Sequence, residues 1–317
     1  MEVVFEKRRV AMASMVTSQK GGRILLIGFN MLLVDGKIGL EHLSILQKLK
    51  NFGYDGVEIP VLEGETQHYR DLGKAIRDIG LRVTASTALP SEVNPLSPDQ
   101  SVRNRAADFY KWLIEASHEL GAELVVGPVH SPIGYFTGNG PTEQETERCV
   151  EAMRILCDEA HSVGIGISLE AVNRFECYIV NTLEAASEIY QKVNHPAFGY
   201  MFDTFHANIE EKDPVAALRT YRNGVTHVHI SENDRGIPGR GHVDFRKPIK
   251  LLRETGYDQW ITVEAFGRSL PALAAATRVW RDLFEDRDTL FAESIDLIRK
   301  EWAFAGDELG MANGDGK

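Results

Sequence analysis

Short apolar runs recur along the chain, each followed by a longer stretch whose apolar residues fall three or four positions apart. The runs are Ile24–Phe29, Gly56–Pro60, Leu81–Thr87, Ala122–Val126, Ile165–Leu169, Ala197–Phe202, Val225–Ile230 and Trp260–Val263. Between and after them lie Leu40–Asn51, Thr66–Ile79, Ser101–Leu120, Thr142–Ser162, Thr182–Val193, Pro214–Tyr221 and Phe245–Thr255, with further helices within Leu270–Trp302. Gly53, Gly80, Gly121 and Gly164 follow four of these stretches, where a helix needs a residue tolerant of the left-handed conformation. Short, continuously apolar strands alternating with helices are the mark of parallel βα units. Repeated eight times, the pattern predicts an α/β protein with a single-domain (β/α)8 TIM barrel over residues 24–303. No Gly-x-Gly-x-x-Gly follows the first run, which argues against an open dinucleotide-binding sheet. Residues 1–23 read as a flexible N-terminal extension, and the polar, Gly-rich residues 304–317 as a disordered tail.

Composition changes this picture little. The chain has 317 residues, 43% hydrophobic and 26% charged, within the range of an ordinary globular domain. It has no apolar run of the roughly 18 residues a membrane helix needs, and its first residues lack the apolar core of a signal peptide. A cytoplasmic protein is expected. The net charge of −11 and the lack of a basic patch argue against nucleic acid as a partner. Cys149, Cys157 and Cys177 form no CxxC pair, which points to a reducing compartment and away from a zinc–thiolate site.

Chemistry collects at the ends of the later runs. Glu170, Asp203, His229 and Glu264 end, or nearly end, the fifth to eighth strands. In a parallel barrel all strand C-termini open on one face, so these side chains are expected to converge. Any one of them alone reads more simply as a helix cap, an ion-pair partner or a structural histidine. Together, three carboxylates and an imidazole make a site for a divalent cation, with Mn2+ first and Mg2+ or Co2+ as alternatives. Glu176, His206 and Arg235 lie just beyond strands five, six and seven, and each can hydrogen-bond a sugar hydroxyl or carbonyl oxygen. The loop 127–141, with Tyr135 and Phe136, reads either as a cover for the pocket or as a surface excursion.

Four stretches resemble one family. They are Leu169-Glu-Ala-Val-Asn-Arg-Phe-Glu176, Asp203-Thr-Phe-His-Ala-Asn-Ile-Glu-Glu211, His227-Val-His-Ile-Ser-Glu-Asn-Asp-Arg235 with Gly239-Arg-Gly-His-Val-Asp-Phe245, and Val263-Glu-Ala-Phe266. They are similar to the motifs of the ketose 3-epimerases, the D-tagatose/D-psicose (allulose) group of xylose-isomerase-like barrels. The resemblance runs from about Ile24 to the last helices. It implies that Glu170 and Glu264 are paired acid/base residues that also bind the metal, with Asp203 and His229 as the other ligands. It also implies that Glu176, His206 and Arg235 hold the sugar around O1, O2 and O3, and that the enzyme is a homodimer or homotetramer. One departure is the run Phe29-Asn-Met-Leu-Leu33, mostly aliphatic where many members are aromatic.

The expected reaction is inversion at C3 of an unphosphorylated ketose through an enediolate. An aldose–ketose isomerase or an inositol-ketone dehydratase on the same barrel is the alternative. A barrel nuclease would need a basic groove, which the charge opposes. A non-catalytic sugar-binding barrel would leave four converging ligands unexplained.

Overall fold

The computed structural model describes residues 25–314. Eight strands pair in parallel and in sequence order to close a barrel: β1 Leu26–Asn30, β2 Gly56–Pro60, β3 Arg82–Ser86, β4 Leu124–Gly127, β5 Gly166–Glu170, β6 Phe198–Asp203, β7 Val225–Ile230 and β8 Trp260–Val263. Around it run α1 Leu43–Phe52, α2 Thr66–Ile79, α3 Gln100–Leu120, α4 Glu143–Ser162, α5 Leu183–Val193, α6 Thr204–Glu210, α7 Pro214–Tyr221, α8 Arg246–Glu254, α9 Pro271–Thr277 and α10 Arg287–Gly314. The (β/α)8 barrel expected from the hydrophobic pattern is the observed fold. Among the described residues, no helix is long and apolar enough to cross a membrane.

Local chemistry sets the helix ends. Thr142 and Glu145 form a reciprocal capping box at the start of α4, and Asp213 caps α7 just before Pro214. Gly121, at φ 80°, ends α3 in the left-handed conformation. The main core lies between sheet and helices. There Phe29 meets Tyr54 and Phe291 edge-on, with ring centroids 5.7 and 4.7 Å away. Such pairs add about 0.5–1.5 kcal/mol each beyond burial. Phe29 therefore joins the barrel to α10, and its neighbour Asn30 faces the interior.

That interior is only partly apolar. Leu124, Val126 and Met201 form a small cluster of their own. Trp260 crosses the barrel floor towards Arg82, whose guanidinium carbon lies 5.3 Å from its ring centroid. A Cβ at Gly56 would sit 2.5 Å from the Trp260 ring, so only glycine fits there. Above the floor the lining is polar.

The structure differs from the sequence expectation in two places. His206, expected in a loop, lies on the short helix α6, because Asp203 accepts hydrogen bonds from the backbone N–H groups of Phe205 and His206 and so starts a helix. The last helical region holds more than one helix, as expected: α9 ends at its cap Arg278, which takes φ 60°, before α10 begins. The expected disordered tail from residue 304 instead continues α10 to Gly314, because Ala305 is buried and Lys250 pairs with Glu308 at 2.7 Å. The expected extension at residues 1–23 lies outside the described residues.

Candidate metal centre and active site

Glu170 ends β5, Asp203 ends β6, His229 is the penultimate residue of β7, and Glu264 follows β8 directly. Parallel pairing sets Asp203 beside His229 and His229 beside Thr262, which brings the strand tips to one level. All four side chains are buried, and their candidate ligand atoms lie within 4.8 Å of one another.

Asp203 shows how the backbone aims this cluster. Its Oδ1 accepts from Phe205 N at 2.6 Å and His206 N at 3.2 Å, capping α6. The carboxylate is thereby locked, and Oδ2 is left without a hydrogen-bond partner. His229 Nδ1 is likewise without a hydrogen-bond partner, 3.5 Å from Asp203 Oδ2 and 3.4 Å from Glu264 Oε1. Buried polar atoms without partners are costly, and two facing each other beside further carboxylates make a cradle suited to a hard or borderline divalent cation.

The electrostatics agree. Burial, reinforced by Glu264, pushes the Glu170 carboxyl upward despite His206 and His229 nearby. Burial also opposes ionisation of Asp203, but His206, His229 and Arg235 outweigh it and hold that carboxyl well below the usual range.

The three expected sugar-binding residues surround the cluster. His206 Nδ1 accepts the backbone N–H of Asn173 at 3.0 Å, which puts the ring proton on Nε2, 3.4 Å from Glu170 Oε1. Glu176 accepts from Asn173 Nδ2 at 2.7 Å. Arg235 donates to Glu264 Oε2 and, at 3.1 Å, to Ser231 Oγ, and its other terminal nitrogen lies 3.2 Å from His206 Nε2. Its backbone takes φ 67°, an uncommon conformation for a side-chain-bearing residue, held by hydrogen bonds at its own N–H and C=O. The loop 127–141 leans on the Glu176 loop: Gly134 N donates to Glu176 O at 2.8 Å, while Tyr135 and Phe136 stay exposed.

Sequence reasoning passed over four residues here. Glu58 lies in mid-β2 with no exposed surface, and its carboxylate meets His229, His227, Asn30 and Thr84. Burial opposes its ionisation, but His229 and His227 outweigh that and hold the carboxyl far below the usual range. The signal was an acid inside an apolar strand, and a His-x-His spacing that puts His227 and His229 on one face. Asn30 and Asn173 carry no comparable signal. Glu232, at the tip of β7, is not part of the cluster; it accepts backbone N–H groups from Asn233, Gly239 and Val243 and shapes its own loop.

A closed parallel barrel with a carboxylate-rich cluster at its C-terminal mouth, able to hold a metal ion, has the architecture of a barrel enzyme's active site. Residues 46–301 match the family described as xylose isomerase-like TIM barrel. The chain is 30% identical over 276 residues to a ketose 3-epimerase of Arthrobacter globiformis, a match covering 86% of this chain and 95% of that one. It is 31% identical over 253 residues to a D-psicose 3-epimerase of Ruminiclostridium cellulolyticum, covering 78% and 86% of the two chains. A solved structure of L-ribulose 3-epimerase superposes with a TM-score of 0.87 at 26% identity, covering 93% of this chain and all of that one. The chain belongs to the ketose 3-epimerase family of xylose isomerase-like barrels, carbohydrate epimerases of the isomerase class.

Proposed function

We propose that the protein inverts C3 of an unphosphorylated ketose, using Glu170 and Glu264 as opposed acid/bases around a divalent cation. The observation that carries this reading is the four-residue cluster, whose ligand atoms lie within 4.8 Å of one another and include Asp203 Oδ2 and His229 Nδ1, neither of which has a hydrogen-bond partner. Glu170, Asp203, His229 and Glu264 would hold the cation, with Mn2+ the first to test. When bound, it supplies Lewis-acid stabilisation of negative charge on the substrate oxygens.

The remaining chemistry belongs to the chain. The C–H beside a carbonyl is weakly acidic, and inversion requires a proton to leave one face and return to the other. Glu170 ends β5 and Glu264 follows β8, so the two carboxylates reach the site from non-neighbouring strands and would meet a sugar seated against them on different faces. One takes the C3 proton and the other supplies a proton to the opposite face. His206, with its proton on Nε2, and the Arg235 guanidinium donate to the oxygens where enediolate charge develops. Glu176, steadied by Asn173, accepts from a sugar hydroxyl.

Two observations favour a free sugar over a sugar phosphate. The relatives are named for ketose, D-psicose and L-ribulose. The nearest phosphate-cradle candidate, Gly239-Arg-Gly241, is already committed: Gly239 N donates to Glu232, and Arg240 pairs with Glu293 at 2.7 Å. The reading extends to a cytoplasmic homodimer or homotetramer, supported by family membership and by three free, buried cysteines.

Glu170→Gln and Glu264→Gln test the two-base assignment. Each is expected to cut turnover by about 10²–10⁴-fold or more while the barrel stays folded. Full activity in either folded variant would overturn it.

A further inference from the structure

Below the four-residue cluster, the interior holds a carboxylate that the proposed chemistry does not touch. Glu58 Oε1 lies 2.9 Å from His229 Nε2 and accepts from Asn30 Nδ2 at 3.0 Å. Its Oε2 accepts from Thr84 Oγ1 at 3.1 Å and has His227 Nε2 2.9 Å away, with that ring turned out of hydrogen-bond alignment. The same Asn30 nitrogen donates its second hydrogen to Glu264 Oε1 at 3.0 Å, and Asn30 Oδ1 accepts from Leu32 N at 2.9 Å. The amide is fully used and its orientation fixed. A continuous chain therefore runs from His229 through Glu58 and Asn30 to Glu264.

We propose that Glu58 is a positioning residue for the cation site. It accepts the Nε2 proton of His229 and so leaves Nδ1 as a bare lone pair facing Asp203 and Glu264, while Asn30 holds Glu264 in register with it. The inference rests on the metal-dependent reading above. Its physical basis is the tautomer of imidazole. A neutral ring carries one N–H, and the nitrogen that carries it cannot ligate. An ionised carboxylate is an acceptor only, so Glu58 at 2.9 Å from Nε2 draws the proton there. His229 Nδ1, 3.4 and 3.5 Å from two of the other ligand residues, is then the free donor atom. A carboxylate behind a ligating histidine orients the ring and raises its basicity, and its loss typically costs 10–100-fold in metal affinity. Asn30, at 3.0 Å from both acids, spaces them apart, a task an aspartate there could not perform without adding a third negative charge.

The test is Mn2+ binding to EDTA-stripped protein, followed by titration calorimetry on wild type, Glu58→Gln and Thr84→Val. Thr84→Val removes a hydrogen bond from the Glu58 oxygen that does not meet His229, and so reports what a merely structural loss does. Glu58→Gln is expected to bind Mn2+ about 10–100-fold more weakly, with Thr84→Val within about twofold of wild type. Equal affinity in Glu58→Gln and wild type, or equal weakening in both variants, would overturn the inference. A wild type that takes up no Mn2+ sinks the metal reading and the inference with it. If Glu58→Gln does not fold, [15N]histidine NMR of wild type loaded with diamagnetic Mg2+ decides: the inference requires the His229 proton on Nε2, and a proton on Nδ1 refutes it.

Discussion

The Arg235 guanidinium sits over the ring of Phe205, its carbon 3.7 Å from the ring centroid. Phe205 is held there because Asp203 caps the helix on which it sits. With Phe266 5.0 Å away, the guanidinium is stacked and aimed while it bonds Glu264 and Ser231. Lysine keeps the charge but neither stacks as a plane nor forks to two acceptors. Arg235→Lys is therefore expected to lower kcat/KM by about 10²-fold with the fold intact, a loss of the size seen when one charge-stabilising donor is removed. Steady-state kinetics on a ketose checks this, and unchanged kcat/KM would mean that Arg235 is only a structural cation.

The crowding of acids at the strand tips makes a stability prediction. Glu170 is pushed toward its neutral form by burial and by Glu264, and a bound cation removes that penalty. A ligand present at 100 times its Kd stabilises the folded state by about 2.7 kcal/mol. Mn2+ is thus expected to raise Tm by roughly 5–10 °C over the EDTA-treated protein. A melting curve indifferent to both Mn2+ and EDTA would count against the cation site.

His130 makes the stability depend on pH. It is fully buried beside Cys177, with Nε2 3.4 Å from the sulfur and Nδ1 unpartnered, and burial lowers its pKa from 6.5 to about 3. Between those values the unfolded chain binds a proton that the folded chain does not, so stability falls as pH drops below about 6.5. At pH 5 the loss amounts to about 2 kcal/mol. Urea midpoints at pH 7 and pH 5 measure it, and His130→Asn is expected to flatten the difference. An equally steep decline in that variant would assign the effect to other groups.

The strand tips were legible because an apolar run that ends in an acid leaves little choice about where the acid points. Glu170, Asp203 and Glu264 all obey that rule, and parallel topology does the rest. Glu58 was not legible by the same logic. It sits inside its run, and nothing local tells whether such an acid faces solvent, a helix or the barrel centre; that depends on the barrel closing through β8 and β1, which brings the Glu58 side chain of β2 to the histidines of β7. The helix that carries His206 is not announced by any apolar periodicity, because α6 has only seven residues and depends on one cap. The continuation of α10 was missed because a Gly-rich composition hid contacts made from elsewhere in the chain, notably Lys250 to Glu308.

The central claim is proton transfer at C3, and isotope exchange tests it most directly. Mn2+-loaded enzyme would be incubated with D-psicose, L-ribulose and other free ketoses in D2O, and the products read by NMR. The account predicts deuterium at C3 with both C3 epimers present. Deuterium at C1 or C2 with an aldose product, or no exchange on any ketose, would contradict it.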